Sequence, residues 1–404
     1  MKIIQINTSI NTGSTGRITE DIGKLLLNTG HESYIAAGNT TRPSSSQVIE
    51  IGDKWDKRMH GLKTRLFDRH GFGSENATFQ FIKEIIRIQP DIIHLHNIHG
   101  YYLHIGVLFD YLKQVQTPVV WTFHDCWPFT GHCSFFDRVN CYKWQTACHH
   151  CPNLKGYPKS LGFDNSRKNY NEKSKIFNGL ENCTIITPSE WLANHVKSSF
   201  LRNYQIQCIP NGVDIKTFSP SAESNSIKSK YQIRNTPYIL GVANTWDLRK
   251  GLKDFEALVH LNDDSYQIVL VGLSNKQIKS LHHNIIGIER TENIFELAAL
   301  YAGAGAFVNP TYVDNFPTTN LEALACGTPV IMYNTGGSPE AINENTGIVV
   351  EKGNITELKN AIEFILSKGK EFYRLPCIER VKKFFNKEDS SNNYIELYKK
   401  MLVQ

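Results

Sequence analysis

Residues 305–340 constrain the fold of this chain more than any other stretch. They read GAFVNPTYVDNFPTTNLEALACGTPVIMYNTGGSPE, in which two short apolar runs, AFVN and VIMY, enclose a loop and a segment of helical composition. Pro317 suits the first position of a helix, where a missing N–H group costs little, and Gly327 suits its end. Ser338, after the Gly-Gly turn, can cap another helix. The stretch therefore predicts strand, loop, helix, strand, turn and helix.

Two helix starts then follow two adjacent strands. Open parallel α/β sheets bind ligands beyond the carboxyl ends of their strands, where helix N-termini present free N–H groups and partial positive charge. The N–H groups of Thr318 and Thr319 lie at the first helix start, and those of Gly336 and Gly337 lie near the second. We expect these groups to form a cradle for a diphosphate.

Two carboxylates flank this expected cradle. Asp314 lies in the loop before the first helix, and Glu322 lies about 7 Å along that helix at 1.5 Å per residue. Both can accept hydrogen bonds from hydroxyls of whatever is attached to the diphosphate. The alternative is a surface aspartate and a solvated helical glutamate.

The spacing of these acids carries a family resemblance. Asp314, seven intervening residues and Glu322, followed by ALACGTPV, resemble the acidic signature of the retaining GT-B glycosyltransferases of the glycogen synthase-like, capsule and exopolysaccharide family (glycosyl transferases group 1). The resemblance implies that Asp314 contacts hydroxyls of the transferred sugar and that Glu322 binds the nucleotide ribose. The family usually has Glu at the first position, so the side chain here is one methylene shorter.

The resemblance also implies an α/β fold with two doubly wound, Rossmann-like domains facing across a cleft. We expect an N-terminal, acceptor-side domain over residues 1–208, with a Cys-rich loop at 126–152. A C-terminal, nucleotide-sugar-binding domain is expected over 209–385, because IPNGVD at its start resembles the family's crossover between domains. The last helix, 386–404, resembles the family's closing segment, which crosses back to the N-terminal domain.

Two further segments supply site residues by resemblance. WTFHD places His124 at a strand end where family members have a histidine close to the donor sugar. In NTWDLRKG, Lys250 matches a family lysine that binds the donor diphosphate. The family's arginine just after the preceding strand is lost or replaced by Asn244, and Arg249 can compensate for it.

The glycine-rich loop after the first predicted strand is a weaker signal. Residues 8–17 are rich in Gly, Ser and Thr and lead into a helix, but the glycines do not complete a dinucleotide-binding fingerprint. In the resembled family this loop lies near the acceptor and opposite the donor diphosphate. Gly16 and Arg17 are assigned to that edge of the site, with a plain tight turn as the alternative.

Composition places the chain among ordinary globular proteins. Its 404 residues suit two domains, and 41% hydrophobic and 21% charged residues are typical of such proteins. The net charge of +5 does not by itself indicate nucleic acid as a partner. The start MKIIQIN lacks the features of a signal peptide, and no apolar run is long enough to span a membrane. We therefore expect a cytoplasmic protein whose nine cysteines stay reduced.

Four of these cysteines have metal-ligand spacing. Cys133, Cys141, Cys148 and Cys151 end in a C-x-x-C pair followed by proline. Four thiolates around one tetrahedral Zn²⁺ can hold a long loop that has little core of its own. A structural zinc is therefore predicted, with free reduced cysteines as the alternative. A catalytic zinc is disfavoured because an all-Cys set leaves no position for water.

Residues 54–69 form a basic amphipathic segment. Trp55, Met59, Leu62 and Leu66 recur at helical spacing among six lysines and arginines. One interpretation is a helix that makes a peripheral contact with the inner face of an anionic plasma membrane. The alternative is an ordinary helix whose apolar stripe packs on its own domain.

The function implied by the resemblance is transfer of a sugar from a UDP- or GDP-linked donor to a hydroxyl acceptor, with retention of anomeric configuration. The acceptor would be an oligosaccharide or a lipid-linked sugar, in bacterial surface polysaccharide biosynthesis. No convincing Asp-x-Asp motif is present, so no catalytic divalent cation is expected. The alternatives are a nucleotide-sugar epimerase of the same fold and a non-catalytic nucleotide-sugar- or polysaccharide-binding protein.

Overall fold

The computed structural model describes residues 1–220 and 224–403, which form two compact units. The N-terminal unit comprises residues 1–209 and 391–404, and the C-terminal unit comprises residues 210–390. Each unit is a parallel sheet with helices between most of its successive strands. The inner strands of both sheets are largely buried, as expected where helices cover both faces of a sheet.

The N-terminal unit contains a seven-stranded sheet in the order β3-β2-β1-β4-β5-β6-β7. Its strands are β1 Lys2–Ser9, β2 Glu32–Asn39, β3 Gln47–Glu50, β4 Ile92–Leu95, β5 Val119–Thr122, β6 Cys183–Thr187 and β7 Gln205–Cys208. Its helices are α1 Gly13–Asn28, α2 Lys54–Phe67, α3 Glu75–Ile88, α4 Ile105–Leu112, α5 Ser166–Phe177 and α6 Glu190–Lys197. The segment between β5 and α5 contains three short 3₁₀ turns among its cysteines.

The C-terminal unit contains a six-stranded sheet in the order β10-β9-β8-β11-β12-β13. Its strands are β8 Tyr238–Val242, β9 Gln267–Val271, β10 Ile285–Ile288, β11 Ala306–Asn309, β12 Val330–Tyr333 and β13 Gly347–Val350. Its helices are α7 Ser224–Lys230, α8 Leu252–Leu261, α9 Asn275–Ser280, α10 Ile294–Gly303, α11 Thr318–Ala325, α12 Ile355–Lys368 and α13 Lys370–Phe384. The strand order reverses between β8 and β11, which defines a doubly wound sheet.

The last helix, α14 Lys387–Val403, contributes most of its length to the N-terminal unit. Tyr394 and Tyr398 are buried in a cluster with apolar residues of β1, α1 and β4. The Tyr398 hydroxyl lies 2.6 Å from His94 Nδ1, and the Thr122 hydroxyl donates to the Tyr394 hydroxyl at 3.2 Å. The helix thereby closes one face of the N-terminal sheet.

Two local expectations differ from the structure. The segment before Arg17 is not loop throughout, because α1 already begins at Gly13 and includes both Gly16 and Arg17. The element that Ser338 opens is a 3₁₀ turn, Ser338–Ala341, and Ser338 does not cap it. Within the described part of the chain, no helix combines the length and apolar character needed to cross a membrane.

Candidate active site

The candidate site lies in the C-terminal unit, at the carboxyl ends of β8 and β11. These strands are direct neighbours, with Leu240 opposite Phe307, yet the chain leaves them toward opposite sides of the sheet. Loops that diverge in this way leave a crevice, which is where doubly wound sheets bind ligands. The loops after β8, β11 and β12 border it.

Gly251 brings the loop after β8 against the loop after β11. Its φ of +72° is in the left-handed region, and a Cβ there would lie 2.3 Å from the Pro310 carbonyl oxygen. The backbone N–H of Tyr312 donates to the Arg249 carbonyl at 2.7 Å, and the Thr311 hydroxyl donates to the same oxygen at 3.1 Å. These contacts place Lys250 beside the acidic loop.

Lys250 and Asp314 form an ion pair at this junction. Lys250 Nζ donates to Asp314 Oδ2 at 2.6 Å, and the backbone N–H of Asn315 donates to Asp314 Oδ1 at 2.9 Å. Both side chains keep about a quarter of their surface exposed, 26% and 23%. The cation and the acid predicted for the donor site are therefore in direct contact.

Gly336 packs the turn after β12 onto the same acidic loop. Its φ is +56°, and a Cβ would lie 1.8 Å from the Asp314 carbonyl oxygen, so no other residue fits without a shift of the backbone. The Gly337 N–H donates to the Asn315 carbonyl at 2.9 Å. A diphosphate could use the Gly337 N–H only by displacing this bond.

The start of α11 presents backbone N–H groups to the crevice side of β11. Pro317 precedes the helix and provides no side-chain cap, and its described first turn contains no acidic residue. Thr318 and Thr319 are half-buried there. Asn309 Nδ2 donates to the buried Asn320 Oδ1 at 2.8 Å, which fixes the helix start to the end of the strand. An anion is favoured at such a helix start.

Glu322 lies one turn further along α11 and is 5% exposed. The Tyr301 hydroxyl, from α10, donates to Glu322 Oε2 at 3.0 Å. A buried carboxylate needs such partners, because burying it without them lowers the stability of the folded state by several kcal/mol. The structure therefore holds Glu322 in one orientation.

Three polar groups around the site are buried, which was not predicted from the sequence. Asp254 of α8 accepts hydrogen bonds from the hydroxyls of Tyr312 and Tyr333, each at 3.1 Å, and its burial raises its pKa. This arrangement ties α8 to the loop after β11 and to the end of β12. The hydroxyls of Thr335 and Ser338 are buried and lack a hydrogen-bond partner among the described residues. The only sequence signal for Asp254 was its position on the apolar face of α8.

Arg249 does not reach Asp314 in this structure. Its Nε and Nη2 atoms contact Asp247 Oδ2 at 2.9 and 2.8 Å. Burial pushes the pKa of Asp247 upward, but hydrogen bonds from Arg249 outweigh this and leave the pKa below its usual value. Asn244, at the position of the family's missing arginine, is exposed.

In the N-terminal unit, His124 follows β5 as predicted. Its ring stacks on His96 with centroids 5.4 Å apart, and its Nε2 lies 3.1 Å from His96 Nδ1. Burial lowers the pKa of His124 to about 4, against an opposing contribution from Asp125. His124 is therefore a neutral hydrogen-bonding group at pH 7.

Gly16 and Arg17 lie in the first turns of α1. A Cβ on Gly16 would lie 3.0 Å from the Ser9 carbonyl oxygen, so the glycine permits close packing of α1 on the end of β1. Arg17 is exposed, and its Nε donates to the Gly13 carbonyl at 3.2 Å. The structure thus gives Gly16 a packing role and leaves the guanidinium of Arg17 at the surface.

The four predicted zinc ligands all line one small cavity of the N-terminal unit: Cys133, Cys141, Cys148 and Cys151. The Gly131 N–H donates to Cys148 Sγ at 3.2 Å. However, the described residues contain no group of three or more His, Cys, Asp or Glu side chains that could hold a metal ion. The prediction of a structural zinc is therefore not supported, because lining one cavity does not direct the four sulfur atoms to one point.

Comparisons with known proteins agree with this architecture. Residues 223–384 match the family model described as Glycosyl transferases group 1, and residues 15–217 match the one described as Glycosyltransferase Family 4. The chain is 25% identical over 375 residues to the putative colanic acid biosynthesis glycosyl transferase WcaC of Escherichia coli, and the match covers 89% of each protein.

Two further similarities are weaker, one because it covers less of the chain and the other because its sequence identity is low. Over 192 residues the chain is 27% identical to the N,N'-diacetylbacillosaminyl-diphospho-undecaprenol alpha-1,3-N-acetylgalactosaminyltransferase of Campylobacter jejuni, covering 44% of this chain and 50% of that protein. The crystal structure of Anabaena HepE in complex with UDP-glucose superimposes with a TM-score of 0.69 at 13% identity, covering 99% of this chain and 100% of that one. At this identity the second similarity concerns the fold alone.

Proposed function

This chain belongs to the GT-B glycosyltransferases, and we propose that it transfers a sugar from a nucleotide-diphosphate sugar to a hydroxyl acceptor with retention of anomeric configuration. We place the reaction in the synthesis of a bacterial surface polysaccharide, because its WcaC relative is a putative glycosyl transferase of colanic acid biosynthesis. The acceptor is proposed to be an oligosaccharide or a lipid-linked sugar. The Campylobacter relative, an N-acetylgalactosaminyltransferase named for a diphospho-undecaprenol substrate, supports the second form.

One observation carries this proposal: Lys250 and Asp314 meet at the β8–β11 junction beside the start of α11. The stability of the ion pair does not by itself account for this arrangement, because a partly exposed pair contributes only about 0–1 kcal/mol to stability. A donor offers each group a better partner. Its diphosphate attracts the lysine, and its sugar hydroxyls can donate to the carboxylate.

The leaving group of the proposed reaction is a nucleoside diphosphate, which gains negative charge as its bond to the sugar breaks. We propose that Lys250 Nζ and the N–H groups of Thr318 and Thr319 stabilise this charge. Donors held by a folded backbone need no reorganisation during the reaction, and removal of one such donor typically costs about 10²–10³ in rate. The proposed site thus uses a lysine and backbone dipoles.

The two acids orient the two sugars of the donor in this proposal. Asp314 accepts from hydroxyls of the transferred sugar, and Glu322, held by Tyr301, accepts from the ribose. Neutral His124 is proposed to contact the transferred sugar, as the family resemblance implies. The acceptor oxygen bonds to the anomeric carbon on the face that the diphosphate leaves, and the acceptor proton passes to the departing phosphate oxygen.

The test begins with the donor. Thermal unfolding of the full chain would be recorded with a panel of UDP- and GDP-linked sugars, because a ligand at 100 times its Kd stabilises the folded state by about 2.7 kcal/mol. The donor that stabilises most would then be incubated with sugar acceptors, and the anomeric configuration of the first product would be read by proton NMR. We expect transfer with the configuration of the donor.

The outcomes separate the competing functions. Conversion of the donor alone to its epimer would identify an epimerase, and tight binding with no turnover would identify a binding protein. Inverted configuration would overturn retention. In the same assay Asp314→Asn should lower transfer by about 10²-fold or more, whereas the exposed acid Asp263 provides a matched control, so Asp263→Asn should leave transfer unchanged.

A further inference from the structure

The helix α2 turns its apolar side chains away from the unit that carries it. Its inward residues are polar: His60 and Thr64 are buried, and His60 Nε2 accepts from the Gly71 N–H at 3.1 Å. Its apolar residues are all exposed, with exposed fractions of 68% for Trp55, 58% for Met59, 48% for Leu62, 42% for Leu66 and 48% for Phe67. The alternative in which this stripe packs on its own domain is therefore wrong.

Three cations of α2 lie in a row beside the apolar stripe. At about 100° per residue, Trp55, Met59, Leu62 and Leu66 span roughly 60° of the helix surface, and Phe67 lies about 80° beyond them on one side. Lys54, Arg58 and Arg65 fall together on the other flank. All three are exposed, and none of them is in an ion pair with another residue in the described part of the chain. Arg58 instead lies over the Trp55 ring at 5.4 Å.

A second segment extends the stripe. Leu161 and Phe163 are 65% and 61% exposed, and their backbone N–H groups donate to the carbonyls of Arg65 and Leu66 at 2.7 and 3.3 Å. These carbonyls lie in the last turn of α2, where a helix has no partners of its own. The Phe163 ring stacks on Phe67 with centroids 5.8 Å apart and an interplanar angle of 16°. The segment is thereby fixed beside the helix end.

We propose that this combined surface docks the N-terminal unit on an anionic lipid bilayer. The docking surface consists of the apolar residues of α2, Leu161 and Phe163, together with the row of cations. A helix whose apolar face is exposed and flanked by basic residues lies in the interface of a bilayer, with its apolar side chains among the acyl chains and its cations on anionic headgroups. The docking itself does not depend on the proposed function. Its purpose, access to a lipid-linked acceptor, does rest on that function.

Charge favours a bilayer over a second copy of this chain. A symmetric dimer through the docking surface would bring the same patch of each copy together, and with it two rows of unpaired cations. Like charges brought together in this way oppose association. Anionic headgroups neutralise the row instead.

The test measures sedimentation of the purified full chain with vesicles of phosphatidylcholine alone and of phosphatidylcholine with phosphatidylglycerol. We expect binding to the anionic vesicles that weakens with salt. Trp55→Ser with Leu62→Ser should lower the binding constant by about tenfold or more, because buried apolar area drives the insertion. Replacing the three cations by Gln should lower it by roughly fivefold per charge. Leu375→Ser, at a comparably exposed leucine (62%) of the C-terminal unit, is the matched control.

Four outcomes would overturn the docking. These are equal binding to neutral and anionic vesicles, no vesicle binding at all, variants that bind like the parent protein, or a dimer in light scattering that Trp55→Ser with Leu62→Ser dissolves. Thermal unfolding checks that these exposed substitutions leave the fold intact. Vesicle binding requires no donor, so a protein that docks but transfers no sugar would contradict the proposed function alone. A transferase that does not bind vesicles would contradict the docking alone.

Discussion

Replacing Lys250 by Met separates a structural ion pair from a donor site. The pair with Asp314 has an N–O distance of 2.6 Å, and its side chains are 26% and 23% exposed. Solvent screens a pair of this exposure, so its loss should lower the free energy of unfolding by no more than about 1 kcal/mol. If Lys250 stabilises the departing diphosphate, its loss should raise the activation free energy by about 2.7–4 kcal/mol, or 10²–10³ in kcat/KM.

The assay therefore measures two quantities on the same variant. Urea unfolding gives the change in stability, and initial rates of sugar transfer give the change in kcat/KM. Lys253→Met is the matched control, because Lys253 is an exposed lysine three residues along in α8; it should change neither quantity by more than about 0.5 kcal/mol. A loss of kcat/KM below about fivefold for Lys250→Met, or a loss of stability that accounts for the loss of activity, would refute the role of Lys250.

Three further predictions concern residues inside the two units whose packing, hydrogen bonding or protonation affects stability. Gly336→Ala forces a Cβ to within 1.8 Å of the Asp314 carbonyl at a φ of +56°, so it should lower stability by at least about 1–3 kcal/mol in urea unfolding and weaken donor binding in calorimetry. Tyr301→Phe removes the hydrogen bond to Glu322 and should lower stability by about 1–3 kcal/mol; an unchanged midpoint would contradict the description of Glu322 as held. Burial lowers the pKa of Lys173 to about 7, so between pH 7 and 8 the unfolded chain binds more protons and stability should rise by about 1 kcal/mol, a rise that Lys173→Met should abolish.

The stretch 305–340 shows which structural features a local sequence pattern can predict and which it cannot. Its strands, its helix start and its turn were predicted from proline, glycine and apolar spacing, and β11, α11 and β12 lie there in that order. The contact between Lys250 and Asp314 joins residues 64 apart and depends on Gly251 fitting against Pro310. No local pattern specifies such a fit. The family resemblance proposed both residues for the site without predicting that they touch each other.

Other differences have similar causes. The Gly-rich composition of residues 8–17 predicted a loop up to Arg17, because glycine disfavours helices. In the structure the helix begins at Gly13, and Gly16 packs closely against the end of β1. Periodicity predicted the apolar stripe of α2, yet it could not show which side of the helix faces the unit, because hydrogen bonds of the buried His60 fix the polar side inward. Cysteine spacing predicted a structural zinc, but the four cysteines share a cavity without a described group of side chains that could hold a metal ion, because spacing does not specify the directions of the sulfur atoms.

We propose that a lysine and backbone N–H groups of the C-terminal unit bind the nucleoside diphosphate without a divalent cation. Calorimetric titration of the full chain with UDP and with GDP, in buffer containing EDTA, tests this binding. We predict saturable binding of at least one nucleotide in EDTA, weakened tenfold or more by Lys250→Met, on the order expected for loss of a charged hydrogen bond. Binding that requires added Mg²⁺, or that Lys250→Met leaves unchanged, would contradict this cation-independent site.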